Sequence, residues 1–366
     1  MRPALASFRF AASTGSTGDD GRSLARREWL PYHPAHNIHF QGHTMNTIER
    51  AVRYRKVWSC SGRVLIGMLS LVLARPALAA DDAPAAPAAA PQKAVLVTGA
   101  STGIGRKITE RLAKDGYFVY AGARKESDLA ELDAIENVDA VRLDVTNPAD
   151  IAAAVETITK AGRGLYGLVN NAGVAIVGPL VETKDEDFKW VMDVNVLGPF
   201  RVTKAFSPLI VDSKGRIATI SSLSGILSRP TFGVYSMSKH AIEAFGDALA
   251  GEMEPLGVKV SLVEPGNYRS EIGKTASERL GVQTALADRS KYPEPDDVAA
   301  AVASFLVDAN PKRRYLVVPV QREAEITIRK ALQETVQLNQ KQPFTYDRKA
   351  LVEMLDAELA AVQATP

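Results

Sequence analysis

The stretch Thr98-Gly99-Ala100-Ser101-Thr102-Gly103-Ile104-Gly105 decides the fold. It follows a short β-rich run, Ala94–Thr98 (AVLVT), and opens an amphipathic helical stretch. In a strand–loop–helix setting the three glycines act differently. Gly99 permits the tight turn, Gly103 lets backbone approach a pyrophosphate, and Gly105 allows close helix–strand packing. A helix starting at Ile104 presents free N–H groups and a positive dipole end to phosphates. Thr98, Gly99, Ser101, Thr102, Gly103, Ile104 and Gly105 are therefore the candidate phosphate cradle of a dinucleotide.

Outward from this loop, β-rich runs alternate with helical stretches. The runs are Ala94–Thr98, Tyr117–Ala121, Ala140–Asp144, Gly167–Asn170, Arg216–Ile220, Lys259–Val263 and Arg314–Val318. Seven strands separated by helices predict βαβ units, and the handedness of such crossovers makes the sheet parallel and doubly wound, with helices on both faces. Residues 322–366 read as two further helices, Arg322–Asn339 and Asp347–Ala361, beyond a catalytic domain spanning 93–321. They are placed either over the substrate cleft or at a subunit contact.

The chain ahead of Lys93 reads differently. Residues 1–44 show no helix or strand period and are expected to be a disordered leader or a mis-called start, with Met45 as the true initiator. Residues 45–80 resemble a secretory signal: basic residues from Arg50 to Arg63, an apolar run of 11 from Val64 to Ala74, and a small-x-small pattern at Ala77-Leu78-Ala79. The run is shorter than the ~20 residues of a comfortable membrane span, so membrane association through residues 64–74 would be that of a marginal anchor. If the segment acts as a signal or anchor the protein is periplasmic or membrane-associated; otherwise it is cytoplasmic. Residues 81–92 form an Ala/Pro linker.

Composition excludes several functions. A net charge of +2 over 366 residues gives no argument for nucleic-acid binding. The single cysteine, Cys60, rules out an intramolecular disulfide and a CxxC pair, and four of the five histidines lie ahead of Lys93, so no metal site is expected.

Two residues point to the chemistry. Tyr235 and Lys239 stand four apart in a predicted helix over Val234–Glu254, so they share one face. A neighbouring ammonium stabilises phenolate and lowers a tyrosine from its reference of ~10, which suits it to exchange a proton with a carbonyl or alcohol. At the end of the second strand stands Ala121-Gly122-Ala123-Arg124-Lys125, with no acid to accept from a ribose 2′-OH. Arg124 suits a 2′-phosphate, which favours NADP(H) over NAD(H).

The form TGxxxGIG over Thr98–Gly105, with Asn170-Asn171-Ala172-Gly173 after the fourth strand and Tyr235-Ser236-Met237-Ser238-Lys239, resembles the short-chain dehydrogenase/reductase family. The resemblance covers residues 93 to about 320 and implies a Rossmann fold. It implies Asp144 and Val145 near the adenine, and Asn171, Ala172 and Gly173 along the cofactor. It gives Ser222 as the serine that holds the substrate oxygen, 13 residues before Tyr235, with Ser221 the adjacent alternative. It makes Asn195 the holder of a water linking Lys239 to solvent. Lys239 would also bind the nicotinamide ribose, and Pro265, Gly266 and Ser270 would seal the nicotinamide amide.

Pro255 to Asn267 is similar to the branch with retinol, 17β-hydroxysteroid and 3-hydroxybutyrate dehydrogenases. That branch implies a small-molecule secondary alcohol or ketone with a lipophilic character, and it includes many NAD(H) enzymes. By the same resemblance, members form homodimers or homotetramers through the helices carrying Asn195 and Tyr235. The competing expectation is a non-catalytic NADP-sensing regulator. A sensor needs the glycine loop alone, whereas an enzyme needs Ser222, Tyr235, Lys239 and Asn195 as well.

Overall fold

The computed structural model describes residues 92–284 and 288–364; the expectations for residues 1–91 lie outside them. Seven strands form one parallel sheet: β1 Ala94–Thr98, β2 Phe118–Ala123, β3 Val138–Arg142, β4 Gly167–Asn170, β5 Arg216–Ile220, β6 Lys259–Pro265 and β7 Arg314–Val317. Their order is β3-β2-β1-β4-β5-β6-β7. The chain therefore winds one way from β1 to β3 and the other way from β4 to β7. The crevice where the order reverses, beyond the carboxyl ends of β1 and β4, is where such sheets bind ligands.

Sidedness follows from alternation along the strands. On one face Leu96, Tyr120, Leu168 and Ile217 pack with α3 (Pro148–Ala161) and α5 (Gly198–Asp212), which supply Ile151, Ile158, Val202, Phe206 and Ile210. On the other, Val95, Val97, Val119 and Val169 pack with α1 (Gly103–Lys114) and α8 (Asp296–Val307), which supply Ile108, Leu112, Val298, Val302 and Phe305. β1 and β4 are buried at every residue, as central parallel strands must be. Short α2 (Glu126–Asp133) lies between β2 and β3.

Four strands depart from their expected bounds: β6 runs on to Pro265, β7 stops at Val317, and β2 and β3 are shifted. β2 runs on to Ala123, and β3 begins at Val138 and ends at Arg142, because Ala123 pairs with Arg142. Beyond that pair Asp144 folds back and accepts from the Thr146 N–H (2.9 Å) and hydroxyl (2.7 Å), a local turn that ends the ladder.

Between β4 and β5 runs α4 (Asp185–Met192), which passes into a π-helical turn, Asp193–Leu197, before α5. The long α6 (Gly233–Met253) follows β5, and α7 (Ile272–Leu280) follows β6. The C-terminal helices are α9 (Gln321–Asn339) and α10 (Arg348–Ala364). α9 is tied to the body by buried Glu323 and Thr327 at its start. Among the described residues no helix is long and apolar enough to cross a membrane.

Candidate active site

The glycine loop closes as its composition requires. Gly99 has φ +63°, and a Cβ on Gly105 would stand 2.1 Å from the Gly99 carbonyl oxygen, so α1 lies against the loop with no room for a methyl group. The first turn of α1 has no acidic residue and no side-chain cap, leaving its positive end open to an anion.

A cleft of about 850 Å³ extends from this loop. That size suits a ligand site. It is lined by Gly99, Ser101, Thr102, Gly103, Ile104, Gly105, Arg124, Asp144, Val145, Asn171, Ala172 and Gly173 at one end and by Ser222, Tyr235, Lys239, Pro265, Gly266 and Ser270 at the other. Residues distant in sequence thus converge at the switch point. Ser270 closes over the loop from the β6 side: its Cβ lies 3.1 Å from where a Gly103 Cβ would stand.

Two expected site residues do not line the cleft. Thr98 is buried, and its hydroxyl accepts from the Asn171 (2.9 Å) and Ala172 (3.0 Å) N–H groups. The Asn171 side chain in turn donates to the carbonyls of Thr98 (2.9 Å) and Gly99 (3.0 Å). These bonds join the ends of β1 and β4, so Thr98 shapes the cradle without facing it. Asn195, in the π-helical turn, is also buried. Its Oδ1 accepts from the Val174 N–H (2.8 Å), and its Nδ2 donates to the Val174 carbonyl (2.8 Å) and Ser238 Oγ (3.0 Å). With its amide engaged in this way, the side chain clamps the β4 loop to α6.

At the reaction end α6 presents Tyr235 and, one turn on, Lys239. The Lys239 ammonium is buried and donates to the Ile220 carbonyl at 2.9 Å, which fixes it at the end of β5. Burial brings it down to about 8, opposed by the negative charge of Glu243. It sits 5.7 Å from the Tyr235 ring centre.

The tyrosine departs from expectation. Burial pushes its phenol up, against a hydrogen bond with Ser222 and the positive charge of Arg289. The Arg289 guanidinium thus adds a second positive charge near the phenol, besides the Lys239 ammonium on α6. Sequence reasoning missed Arg289 because it lies after Ser270, where the family resemblance supplies no motif. Its Nε donates to the Tyr268 carbonyl (3.0 Å), and its guanidinium stacks 4.7 Å from the Tyr292 ring centre.

The dinucleotide end is electrostatically mixed. Exposed Arg124 stands 3.7 Å from half-buried Asp144. Burial works against ionisation of Asp144, but hydrogen bonds from Thr146 and the charge of Arg124 hold its carboxyl below the usual range.

Beyond Ser270, α7 forms a cover. Arg279 bonds Asp187 of α4 at 2.7 Å and stacks on Trp190, pinning this cover to the body. Behind the β6 loop, Glu323 of α9 accepts from the Asn267 N–H (3.2 Å) and side-chain amide (2.5 Å). The C-terminal extension thus braces the loop that carries Gly266, a contact with no signature in the sequence. Among the described residues no cluster of His, Cys, Asp and Glu could hold a metal.

Comparison with known proteins agrees with this geometry. The family model for short chain dehydrogenases matches residues 93–281. The chain is 39% identical over 202 residues to a mitochondrial D-β-hydroxybutyrate dehydrogenase of Rattus norvegicus, covering 52% of this chain and 59% of that protein. It thus spans under two thirds of that relative. It is 34% identical over 232 residues to an uncharacterised oxidoreductase of Escherichia coli, covering 62% of this chain and 86% of that protein. Among solved structures, a Burkholderia phymatum short chain dehydrogenase/reductase in complex with NAD superimposes with TM-score 0.59 at 27% identity, covering 70% of this chain and 98% of that one. An actinorhodin polyketide ketoreductase with NADPH gives 0.55 at 30% identity, covering 62% and 95%. The sheet order, the glycine cradle and the family match together establish that this chain belongs to the short-chain dehydrogenase/reductase family.

Proposed function

We propose that the protein is an NAD(P)-dependent oxidoreductase that interconverts a secondary alcohol and a ketone, with Tyr235 as the acid/base. The observation that carries this reading is that Ser222, Tyr235 and Lys239 line the same cleft as the glycine cradle. When bound, the nicotinamide supplies or accepts the hydride. The residues present fit such a cofactor: the cleft runs along the glycine loop, and the open start of α1 favours the charge of a pyrophosphate.

In reduction, the Tyr235 hydroxyl donates its proton to the carbonyl oxygen, which Ser222 holds in place. In oxidation the phenolate takes the alcohol proton. In this reading Lys239 holds a ribose hydroxyl of the cofactor and keeps positive charge near the phenol, supported by its ammonium lying 5.7 Å from the Tyr235 ring centre. Arg124 and Lys125 at the end of β2 support a preference for the 2′-phosphate of NADP, with NAD the other candidate; both line the cleft. Leu223, Phe232 and Ile272 around the reaction end support a substrate with apolar surface.

The relatives are named for β-hydroxybutyrate, retinol and 3-ketodihydrosphingosine. That range supports the reaction class more than any one substrate. A homodimer or homotetramer through the helices carrying Asn195 and Tyr235 is supported by half-exposed Leu197, Phe200 and Met237. The test is titration of the full chain with NADPH and NADH followed by a carbonyl screen: short 3-oxo acids, steroids and retinal. Saturable binding and carbonyl-dependent oxidation of the cofactor are expected; no binding of either nucleotide would overturn the reading.

A further inference from the structure

Behind Lys239, on the side away from the cleft, lies a group of buried acids that the mechanism above does not use. Tyr235, Lys239 and Glu243 follow one another at four-residue steps on α6, so a carboxyl stands one turn beyond the ammonium. Glu243 is 8% exposed, and Glu264, the sixth residue of β6, is 2% exposed. Both carboxyls reach the same Arg314 Nε, which brings the two acids close together in a buried site. Two carboxylates sharing such a site repel each other, and a proton on one of them relieves the repulsion.

Two further observations agree. Glu243 Oε1 is buried and meets no donor among the described residues, a costly state for an ionised acid and a satisfied one if a proton lies between it and Glu264. A single cation also serves the pair. Arg314 of β7 places its Nε 3.1 Å from Glu243 and 3.3 Å from Glu264, while its other end bonds Asp247 of α6 at 2.6 Å.

The pair also reaches the cleft. Ser221, which lines it, is buried with its hydroxyl unpartnered among the described residues. Ser221 Oγ and Glu243 Oε1 each lie 2.8 Å from where a Cβ on Gly225 would stand, so only a glycine there lets them approach. Three consecutive residues at the end of β5 thus meet α6 in turn: the Ile220 carbonyl at Lys239, Ser221 near Glu243, and Ser222 at Tyr235.

We propose that Glu243 is the buried counter-ion of Lys239, and that Glu264, protonated against it, keeps one negative charge rather than two behind the lysine. The inference rests on reading Lys239 as part of the reaction centre. Glu243 and Glu264 are positioning residues: they touch neither substrate nor cofactor and act through the ammonium. The charged and titratable groups facing the pair are Lys239 and Asp247 from α6 and Arg314 from β7, with the Tyr235 phenol and Arg289 beyond the lysine.

The two acids should have opposite effects. Glu243→Gln removes the negative charge next to Lys239, whereas Glu264→Gln removes the acid that crowds Glu243 and leaves that charge in place. The experiment is NMR titration of lysine side chains in the full chain without substrate, with Lys239→Met identifying the signal. Lys239 should titrate about one pH unit lower in Glu243→Gln. It should titrate no lower than wild type in Glu264→Gln, and Glu243→Asp should restore most of the shift. An infrared carboxylic-acid band should persist near neutral pH and vanish in Glu264→Gln. No shift in Glu243→Gln, or equal downward shifts in both variants, would overturn the proposal. Should Glu243→Gln fail to fold, a downward shift in Glu264→Gln alone overturns it. Because the titration needs no turnover, its outcome is separate from that of a carbonyl screen.

Discussion

Tyr235 illustrates both the reach and the limit of residue-level reading. Its partnership with a helix lysine follows from the four-residue spacing, and the cleft gathers both with Ser222. The sign of its ionisation shift does not follow, because burial and Arg289 act through space and leave no spacing to read. The charge of Arg289 holds the phenol down, so Arg289→Met should raise it further. The acidic limb of an alcohol-oxidation profile, where phenolate is the base, should then move to higher pH; an unmoved limb would remove Arg289 from this role. Thr98 and Asn195 belong to the site by motif, yet their polar atoms point inward to Asn171, Ala172, Val174 and Ser238. A motif records which residues recur together, not which of them face the ligand. At the other end of the cleft, Arg124→Ala should weaken NADPH binding by roughly 10- to 100-fold and leave NADH binding nearly unchanged, since one charge-assisted contact contributes about 1.5–3 kcal/mol. Equal losses for both nucleotides would refute the 2′-phosphate assignment.

At the scale of elements, all seven strands and their parallel pairing are legible, because short apolar runs between amphipathic stretches leave few ways to build a sheet. The end of β3 is not, since Leu143 continues the apolar pattern after the ladder has stopped and the turn is made by Asp144 and Thr146. The cover over the cleft is the least legible part. Its anchoring depends on Arg279 finding Asp187 across a separation of 92 residues. Asp187 is nearly buried, so Arg279→Ala would strand its carboxylate and cost about 1–3 kcal/mol of stability. The same variant should raise KM more than it lowers kcat, which steady-state kinetics with thermal unfolding would check. The bond from Glu323 to Asn267 likewise joins a helix read only as an extension to the loop that carries Gly266.

On the scale of the whole molecule, the sheet concentrates its chemistry along one line, from the start of α1, past the ends of β1, β4 and β5, to the acids between α6, β6 and β7. Those acids shape stability as well as the site. Burial first, then the Glu243 charge, pushes Glu264 well above the ordinary carboxylate range. Between that range and its raised folded value the folded chain binds a proton that the unfolded chain has lost. Stability from this group is therefore full in acid and declines as pH rises toward neutrality. Glu264→Gln should flatten that decline in a series of melting curves; an unchanged slope would place the proton elsewhere.

On the function proposed above, this cleft carries out proton-coupled hydride chemistry at Tyr235. The most direct measurement compares wild type with Tyr235→Phe for NADPH affinity and for carbonyl-dependent NADPH oxidation at saturating cofactor. Losing a positioned acid/base is expected to lower the rate by roughly 10²- to 10⁴-fold, with NADPH affinity nearly unchanged. Turnover by Tyr235→Phe at the wild-type rate would contradict it.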